Sequence, residues 1–166
     1  MPVVVWLLVI GAYRLAFWLF VLAGVSDAID GFLARQLDAR SELGSYLDPL
    51  ADKALLVGVY VTLGLQGHIP SWLVILVAFR DLLIIGGVLL LQTVGRRPAM
   101  APLLVSKANT AAQISFAVLV LAAHAFEIDD RGVLTVLIFV VAATTLASGS
   151  AYLVKFFRQI LNPAET

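Results

Sequence analysis

The sequence predicts an all-α integral membrane protein, a bundle of five to six transmembrane helices that forms a single domain over residues 1–166. Its mean hydropathy is +1.01 and 13% of its residues are charged, whereas soluble domains carry about 25% charged residues. Apolar segments of the length that crosses a bilayer, about 20 residues, follow one another along the chain. Short segments rich in Gly, Pro and charged residues separate them, as expected of loops.

Five segments are predicted to span the membrane, and a shorter apolar stretch precedes them. The five cover residues 11–37, 44–66, 71–94, 106–126 and 133–157. The stretch over residues 2–11 is too short to span alone, so it is interpreted as the remnant of a shortened helix or as the start of one long first helix. Since no basic region precedes its apolar residues, no cleavable signal peptide is expected.

The loop charges predict how the chain is oriented in the membrane. If the loop that follows Arg35 lies on the cytoplasmic or matrix side, alternation of the spans places Arg96 and Arg97 on that side too. The opposite loops contain His68 and an acidic segment over residues 127–131. This asymmetry agrees with the positive-inside rule and places the acid-rich part of the chain within reach of soluble nucleotides. The two histidines near the opposite face are assigned no role.

The composition also excludes several kinds of function. The chain has no cysteine, so disulfides and thiolate metal sites are excluded. Eleven basic and eleven acidic residues give a formal net charge of zero, so a nucleic-acid partner is not expected. Membrane lipids are the expected surroundings.

Acidic residues concentrate in one segment, SDAIDGFLARQLDARSELGSYLDPLADK, over residues 26–53. Asp27 and Asp30 are three residues apart, and Asp48 and Asp52 are four apart, so each pair shares one helix face. Two helices joined by a short turn are antiparallel neighbours, so the four carboxylates can converge on one point. Without compensation they would repel one another, so two divalent cations are predicted, and the all-oxygen ligands favour Mg²⁺ or Mn²⁺.

The residues around these acids suit a ligand that carries phosphate. Gly31, Ala34 and Gly44 let a helix backbone or a flat ligand approach closely. Arg35 offers a bidentate positive group that matches phosphate. A carboxylate-based ion transporter is the competing interpretation, because transporters also bury acids in the membrane. Acids clustered at one face, however, do not form a relay across the bilayer.

The same residues resemble the signature of the CDP-alcohol phosphotransferase family, also called CDP-alcohol phosphatidyltransferases. The matching pattern is Asp27-x-x-Asp30-Gly31-x-x-Ala34-Arg35, eight residues, and Gly44-x-x-x-Asp48-x-x-x-Asp52, without a mismatch. The resemblance implies a six-helix membrane enzyme of phospholipid biosynthesis. Such an enzyme transfers a phosphatidyl group from CDP-diacylglycerol to an alcohol acceptor and releases CMP. The family's usual first helix is expected to be shortened or missing here, reduced to residues 2–11.

The resemblance also implies a role for each residue of the pattern. All four aspartates would bind two divalent cations, Mg²⁺ or Mn²⁺, and Asp52 would also be the catalytic base. The residues expected to bind the CDP group are Asp27, Gly31, Ala34, Arg35, Gly44 and Asp48. A homodimer is implied as well, in a bacterial inner membrane or a mitochondrial inner membrane, with the active site at the cytoplasmic or matrix face.

Softer motifs outside this pattern bear on the acceptor. The segments LGSYLDPLADK, FRDLLIIGG, SKANTAAQ and ATTLASGSAYLVKFFRQ resemble CMP-forming cardiolipin synthases, which implies phosphatidylglycerol as the acceptor. A phosphatidylglycerophosphate synthase that uses glycerol 3-phosphate is the alternative. Intramembrane prenyl transfer, which also uses aspartate pairs and Mg²⁺, fits less well because those enzymes lack the Asp-Gly…Ala-Arg context.

Two cationic residues are predicted to contact the acceptor or its phosphate. Lys107 lies at the predicted start of a helix on the same side as the acids, where an anionic group would compensate its charge against the helix dipole. Arg80 lies inside a predicted span beside Asp81. For Arg80 two interpretations stay open, a head-group phosphate contact and a buried ion pair with Asp81 that holds the bundle together.

Overall fold

The computed structural model describes residues 2–36, 42–93, 104–129 and 132–161. Over residues 28, 30–36, 42–52, 92 and 160–161 it describes the helical backbone and not the side chains. The described chain contains six helices and no strand: α1 (Pro2–Val9), α2 (Tyr13–Gln36), α3 (Glu42–Leu65), α4 (Ser71–Thr93), α5 (Leu104–Phe126) and α6 (Val133–Leu161). The predicted all-α membrane class is confirmed.

Helix ends coincide with residues that adopt a left-handed backbone conformation. Gly11 has a φ of 75° and Gly67 a φ of 77°, a conformation that costs glycine little because it has no Cβ. At the end of α1 the Ala12 N–H donates to the Leu7 carbonyl over 2.9 Å, which satisfies one of the last free carbonyls of that helix. The interpretation of residues 2–11 as the start of one long helix is therefore wrong, because α1 ends at Val9.

Three helices of the described chain are long and apolar enough to cross a membrane. Their apolar stretches are Ser71–Leu91, Leu104–Phe126 and Val133–Gln159, which match the last three predicted spans. The first two predicted spans fall on α2 and α3 and include residues whose side chains are not described. In α3 the described apolar stretch is Lys53–Leu65.

The helices form two compact units. The first contains Met1–Ile69 and Ala117–Leu134. Within it α1 packs against both α2 and α3, with Leu7 and Leu8 buried at the contact. A Cβ added at Gly58 would lie 3.0 Å from Val5 Cγ2, so the bare glycine allows α1 to approach α3 closely.

The second unit contains Pro70–Phe116 and Thr135–Thr166. Its apolar core includes buried side chains from α4, α5 and α6, among them Leu73, Val77, Phe116 and Val141. The Phe156 ring of α6 packs where a Cβ at Gly87 of α4 would overlap it. Large apolar side chains such as Leu82, which is 68% exposed, cover the outside of these helices, as expected of a surface that contacts lipid.

Candidate functional site

The structure places the four predicted metal ligands on two consecutive helices of the first unit. Asp27 and Asp30 belong to the second half of α2, and Asp48 and Asp52 to the first half of α3. The Asp27 side chain is exposed, while the other three side chains lie outside those described. Gly31, Ala34, Arg35 and Gly44 also fall on these helical stretches whose side chains are not described, so the predicted contacts of all these residues stay predictions. Among the residues whose side chains are described, no group of three acids or histidines could hold a metal ion.

A described contact fixes the register of α2 against the end of α3. The Tyr13 hydroxyl, at the start of α2, donates to Gln66 Oε1, just after α3, over 3.4 Å. Asp27 follows Tyr13 by 14 residues and Asp52 precedes Gln66 by 14 residues. At a rise of 1.5 Å per residue, each aspartate backbone is therefore about 21 Å along its helix from this contact.

Arg80 is the centre of a buried polar network inside the second unit. It is 2% exposed, and its neighbour Asp81 is 6% exposed. Arg80 Nη1 donates to Asp81 Oδ1 over 2.6 Å, and Nη2 donates to the hydroxyls of Ser106 and Ser148, each over 2.6 Å. The guanidinium carbon lies 5.9 Å from the centre of the Tyr152 ring. The ion pair is therefore present, and contact between Arg80 and a phosphate stays a prediction.

Lys107 lies in the first turn of α5, directly after a serine that binds Arg80. Its side chain is exposed. The N-terminal end of a helix carries a partial positive charge, so this end of α5 combines that partial charge with a lysine. Such a combination attracts anions.

Sequence reasoning assigned no role to Asn109, which lies one turn beyond Ser106 on α5. Asn109 is fully buried, and its Oδ1 accepts hydrogen bonds from Thr144 over 3.0 Å and from Thr145 over 2.9 Å. Its Nδ2 is buried and has no hydrogen-bond partner in the described part of the chain. One sequence signal was available, because Asn109 and Gln113 are four residues apart in an apolar segment and so share a helix face.

Comparisons with known proteins identify the family of the chain. The chain matches the model of a family described as CDP-alcohol phosphatidyltransferase over residues 1–150. A chloroplastic CDP-diacylglycerol–glycerol-3-phosphate 3-phosphatidyltransferase 1 of Oryza sativa subsp. japonica is 36% identical over an alignment of 177 residues. The alignment covers 96% of this chain and 54% of that protein. A cardiolipin synthase (CMP-forming) of Homo sapiens is 36% identical over 167 residues, which cover 91% of this chain and 56% of that protein.

A bacterial relative is similar over more of its own length. The CDP-diacylglycerol–glycerol-3-phosphate 3-phosphatidyltransferase of Bacillus subtilis (strain 168) is 33% identical over 139 residues, which cover 82% of this chain and 70% of that protein. The chain spans about half the length of the rice and human relatives. Since the family model matches residues 1–150 of the 166, the chain belongs to the CDP-alcohol phosphatidyltransferase family.

Proposed function

We propose that this chain transfers a phosphatidyl group from CDP-diacylglycerol to an alcohol acceptor and releases CMP, with the help of two divalent cations. The observation that carries this proposal is family membership together with the complete Asp-x-x-Asp-Gly-x-x-Ala-Arg…Gly-x-x-x-Asp-x-x-x-Asp pattern on α2 and α3. The reaction belongs to phospholipid biosynthesis.

The register of α2 and α3 supports convergence of the aspartates. Because Asp27 and Asp52 are equally far along their helices from the Tyr13–Gln66 contact, antiparallel neighbouring helices would bring them to the same level. Asp30 is 17 residues from Tyr13 and Asp48 is 18 residues from Gln66, so the second pair lies about one turn further along, at a common level as well. The four aspartates would then lie at one depth in the membrane, as the binding of shared cations requires.

The donor set fits the predicted cations. Four carboxylates offer only oxygen ligands, which Mg²⁺ and Mn²⁺ prefer, and without cations they would repel one another inside the membrane. Asp27, Asp30, Asp48 and Asp52 would hold the two cations, which supply positive charge that neutralises the pyrophosphate and stabilises the leaving CMP. Mg²⁺ and Mn²⁺ are equally compatible with this set.

The chain's own residues account for substrate binding and proton transfer. Gly31, Ala34 and Gly44 leave room for the CDP group beside the helix backbones, and Arg35 donates to its phosphates. Asp52 takes the proton of the acceptor hydroxyl. The freed oxygen then forms a bond to the lipid-side phosphorus, and the bond between that phosphorus and the CMP oxygen breaks.

We infer that phosphatidylglycerol is the acceptor and cardiolipin the product, with glycerol 3-phosphate as the alternative acceptor. The relatives include proteins named for both reactions at the same 36% identity, so the inference depends on the softer motifs of the chain. Lys107 and Arg80 would contact the acceptor phosphate, and the exposed position of Lys107 leaves it accessible to an anionic head group. We further propose a homodimer in a bacterial or mitochondrial inner membrane, with the site at the cytoplasmic or matrix face.

An acceptor panel tests this proposal. The purified chain in lipid nanodiscs receives CDP-diacylglycerol, Mg²⁺ or Mn²⁺, and either phosphatidylglycerol or glycerol 3-phosphate, and both CMP and the lipid product are measured. Asp52→Asn is expected to abolish CMP release while the helical circular dichroism is retained. Asp38→Asn is the matched control, since Asp38 lies in the same acidic segment but outside the pattern, and it should retain activity.

The outcomes separate the candidate functions. Product from glycerol 3-phosphate alone would overturn the cardiolipin assignment and keep the reaction class. A folded protein that releases no CMP with either acceptor, yet carries ions across liposomes in a manner that Asp52→Asn blocks, would favour the transporter instead.

A further inference from the structure

The two histidines of the chain meet in the first unit, at the end remote from the aspartates. His68 lies in the α3–α4 loop and His124 in the last turn of α5. Their ring centroids are 3.9 Å apart with an angle of 57° between the rings. The Tyr13 ring of α2 lies 5.4 Å from the first and 5.5 Å from the second. Three elements that are distant in sequence therefore meet at one aromatic cluster, the Tyr13–His68–His124 cluster.

Hydrogen bonds orient both imidazoles. His124 Nδ1 donates to the Val120 carbonyl over 2.8 Å. The Tyr13 hydroxyl is 2.8 Å from His68 Nε2 and 3.4 Å from Gln66 Oε1. Gln66 Nε2 donates to the Leu8 carbonyl over 2.6 Å, which turns its oxygen toward the tyrosine. If the tyrosine proton goes to Gln66, His68 Nε2–H donates to the tyrosine oxygen, and each ring keeps one nitrogen without a proton.

The ring geometry does not suit a metal ion held by both histidines. Two imidazoles on one tetrahedral ion with metal–nitrogen distances near 2.0 Å place their ring centroids about 5 Å apart. The rings of the cluster are closer than this. Because the two rings are in direct contact, the stability of the cluster depends on whether the imidazoles carry charge.

The charges around the pair make double protonation unfavourable. Arg14 of α2 donates to the carbonyl of Ala125 over 2.8 Å, which places a permanent cation next to His124 along the chain. On the other side, Glu127 and Asp129 follow α5 and are exposed, so solvent screens their attraction. α1 contributes no charged residue.

The pKa of His68 is shifted in the direction that this environment requires. Burial, and secondarily the neighbouring His124, lower its pKa from the ordinary 6.5. A histidine whose folded pKa lies below its unfolded value stabilises the fold fully above the unfolded pKa. That stabilisation declines as the pH falls through the unfolded pKa toward the folded one.

We propose that the Tyr13–His68–His124 cluster is an acid-sensitive latch that joins the start of α2, the α3–α4 loop and the end of α5, and that opens when both imidazoles are protonated. The first proton is tolerated, because both oriented hydrogen bonds can persist with a protonated ring as donor. The second proton places two positive charges in ring contact, while Arg14 is bound to the carbonyl of Ala125, the residue after His124. Repulsion between the two protonated rings then separates the loop from the end of α5.

The latch is connected to the aspartates through the helices that carry them. Tyr13 begins α2 and Gln66 directly follows α3, so the cluster sets the register that places Asp27 and Asp52 at one level. The cluster is about 21 Å from these aspartate positions along both helices. A low pH at the membrane face opposite to the aspartates would therefore protonate the latch without titrating the aspartates. This inference is independent of the reaction proposed above.

Nuclear magnetic resonance of the full chain in micelles, with ¹³C- and ¹⁵N-labelled histidine, tests the coupling. Every imidazole signal comes from this pair because the chain has two histidines. His124→Gln should raise the pKa of His68, because the neighbouring His124 is one of the two causes that lower it. A pKa of His68 that is the same in the wild type and in His124→Gln would overturn the proposal.

A second measurement tests the opening itself. The thermal midpoint of the wild type in nanodiscs should be several degrees lower at pH 5.5 than at pH 7.5, and the difference should be much smaller in the double variant His68→Gln/His124→Gln. Each single variant should resemble the double variant, since neither can carry two charges on the pair. An equal decrease in the wild type and the double variant would assign the acid sensitivity to other groups and contradict the latch.

Discussion

Removing the negative charge of Asp81 tests the Arg80 network of the second unit most directly. Arg80 is 2% exposed and has one described carboxylate partner, Asp81, whose Oδ1 is 2.6 Å from Nη1. In Asp81→Asn the side-chain size is retained and the amide oxygen can still accept a hydrogen bond from Arg80. The guanidinium loses its described counter-ion, while the hydroxyls of Ser106 and Ser148 and the face of Tyr152 remain.

The expected cost follows from burial. Breaking a buried ion pair by removing one partner destabilises proteins by about 3–5 kcal/mol, because the remaining charge has neither water nor a counter-ion. An exposed pair would contribute only about 0–1 kcal/mol. For a chain of this size, about 2–4 °C of thermal midpoint per kcal/mol converts the buried estimate into a decrease of about 6–20 °C.

The assay is thermal unfolding in nanodiscs, followed by tryptophan fluorescence, with a double variant as the control. Arg80→Met combined with Asp81→Leu leaves no buried charge, so it should recover most of the lost stability. A decrease of less than about 4 °C for Asp81→Asn, the size expected of an exposed pair, would refute the reasoning. So would a double variant as unstable as the single one.

The same double variant separates the two interpretations of Arg80. If Arg80 only holds the helices together, the recovered protein should release CMP at a normal rate. If Arg80 also contacts the acceptor phosphate, the recovered protein should fold normally and show a raised KM for the acceptor, with the KM for CDP-diacylglycerol unchanged.

Three further predictions concern glycines and the cations. Gly87→Ala should lower the unfolding free energy by about 1–3 kcal/mol because the new methyl group overlaps Phe156. Gly86→Ala is the control, since its new methyl group meets no atom within 4 Å, and it should not lower the unfolding free energy. Equal thermal midpoints for the two variants would contradict the packing. Gly11→Ala should lower the unfolding free energy by about 1–2 kcal/mol because the φ of Gly11 is 75°. Gly24→Ala, in the middle of α2, should leave the unfolding free energy unchanged or raise it. Removal of divalent cations with EDTA should stop CMP release, and Mg²⁺ or Mn²⁺ should restore it; activity that persists in EDTA would exclude the cation dependence.

The fold class and the position of the acid-rich helices could be predicted from the sequence because they depend on local properties. Mean hydropathy and the length of each apolar stretch determine whether a segment can remain in lipid, and the boundaries of α4 differ from the predicted span by a single residue. The spacing of Asp27, Asp30, Asp48 and Asp52 likewise determines which acids share a helix face. The break between α1 and α2 stayed open at the level of sequence, because a lone glycine in an apolar run is compatible with a continuing helix as well as with a turn.

What the sequence by itself determined is an all-α membrane chain with a family signature on two consecutive helices, since composition and short-range spacing encode both. Only the tertiary structure decided which distant polar groups meet: Arg80 with Ser148 across 68 residues, Asn109 with Thr145 across 36, and Tyr13 with His68 across 55. The physical reason is that a polar group inside a bilayer must find a partner within the protein. Which partner it finds depends on helix packing, and spacing along the chain does not encode that packing.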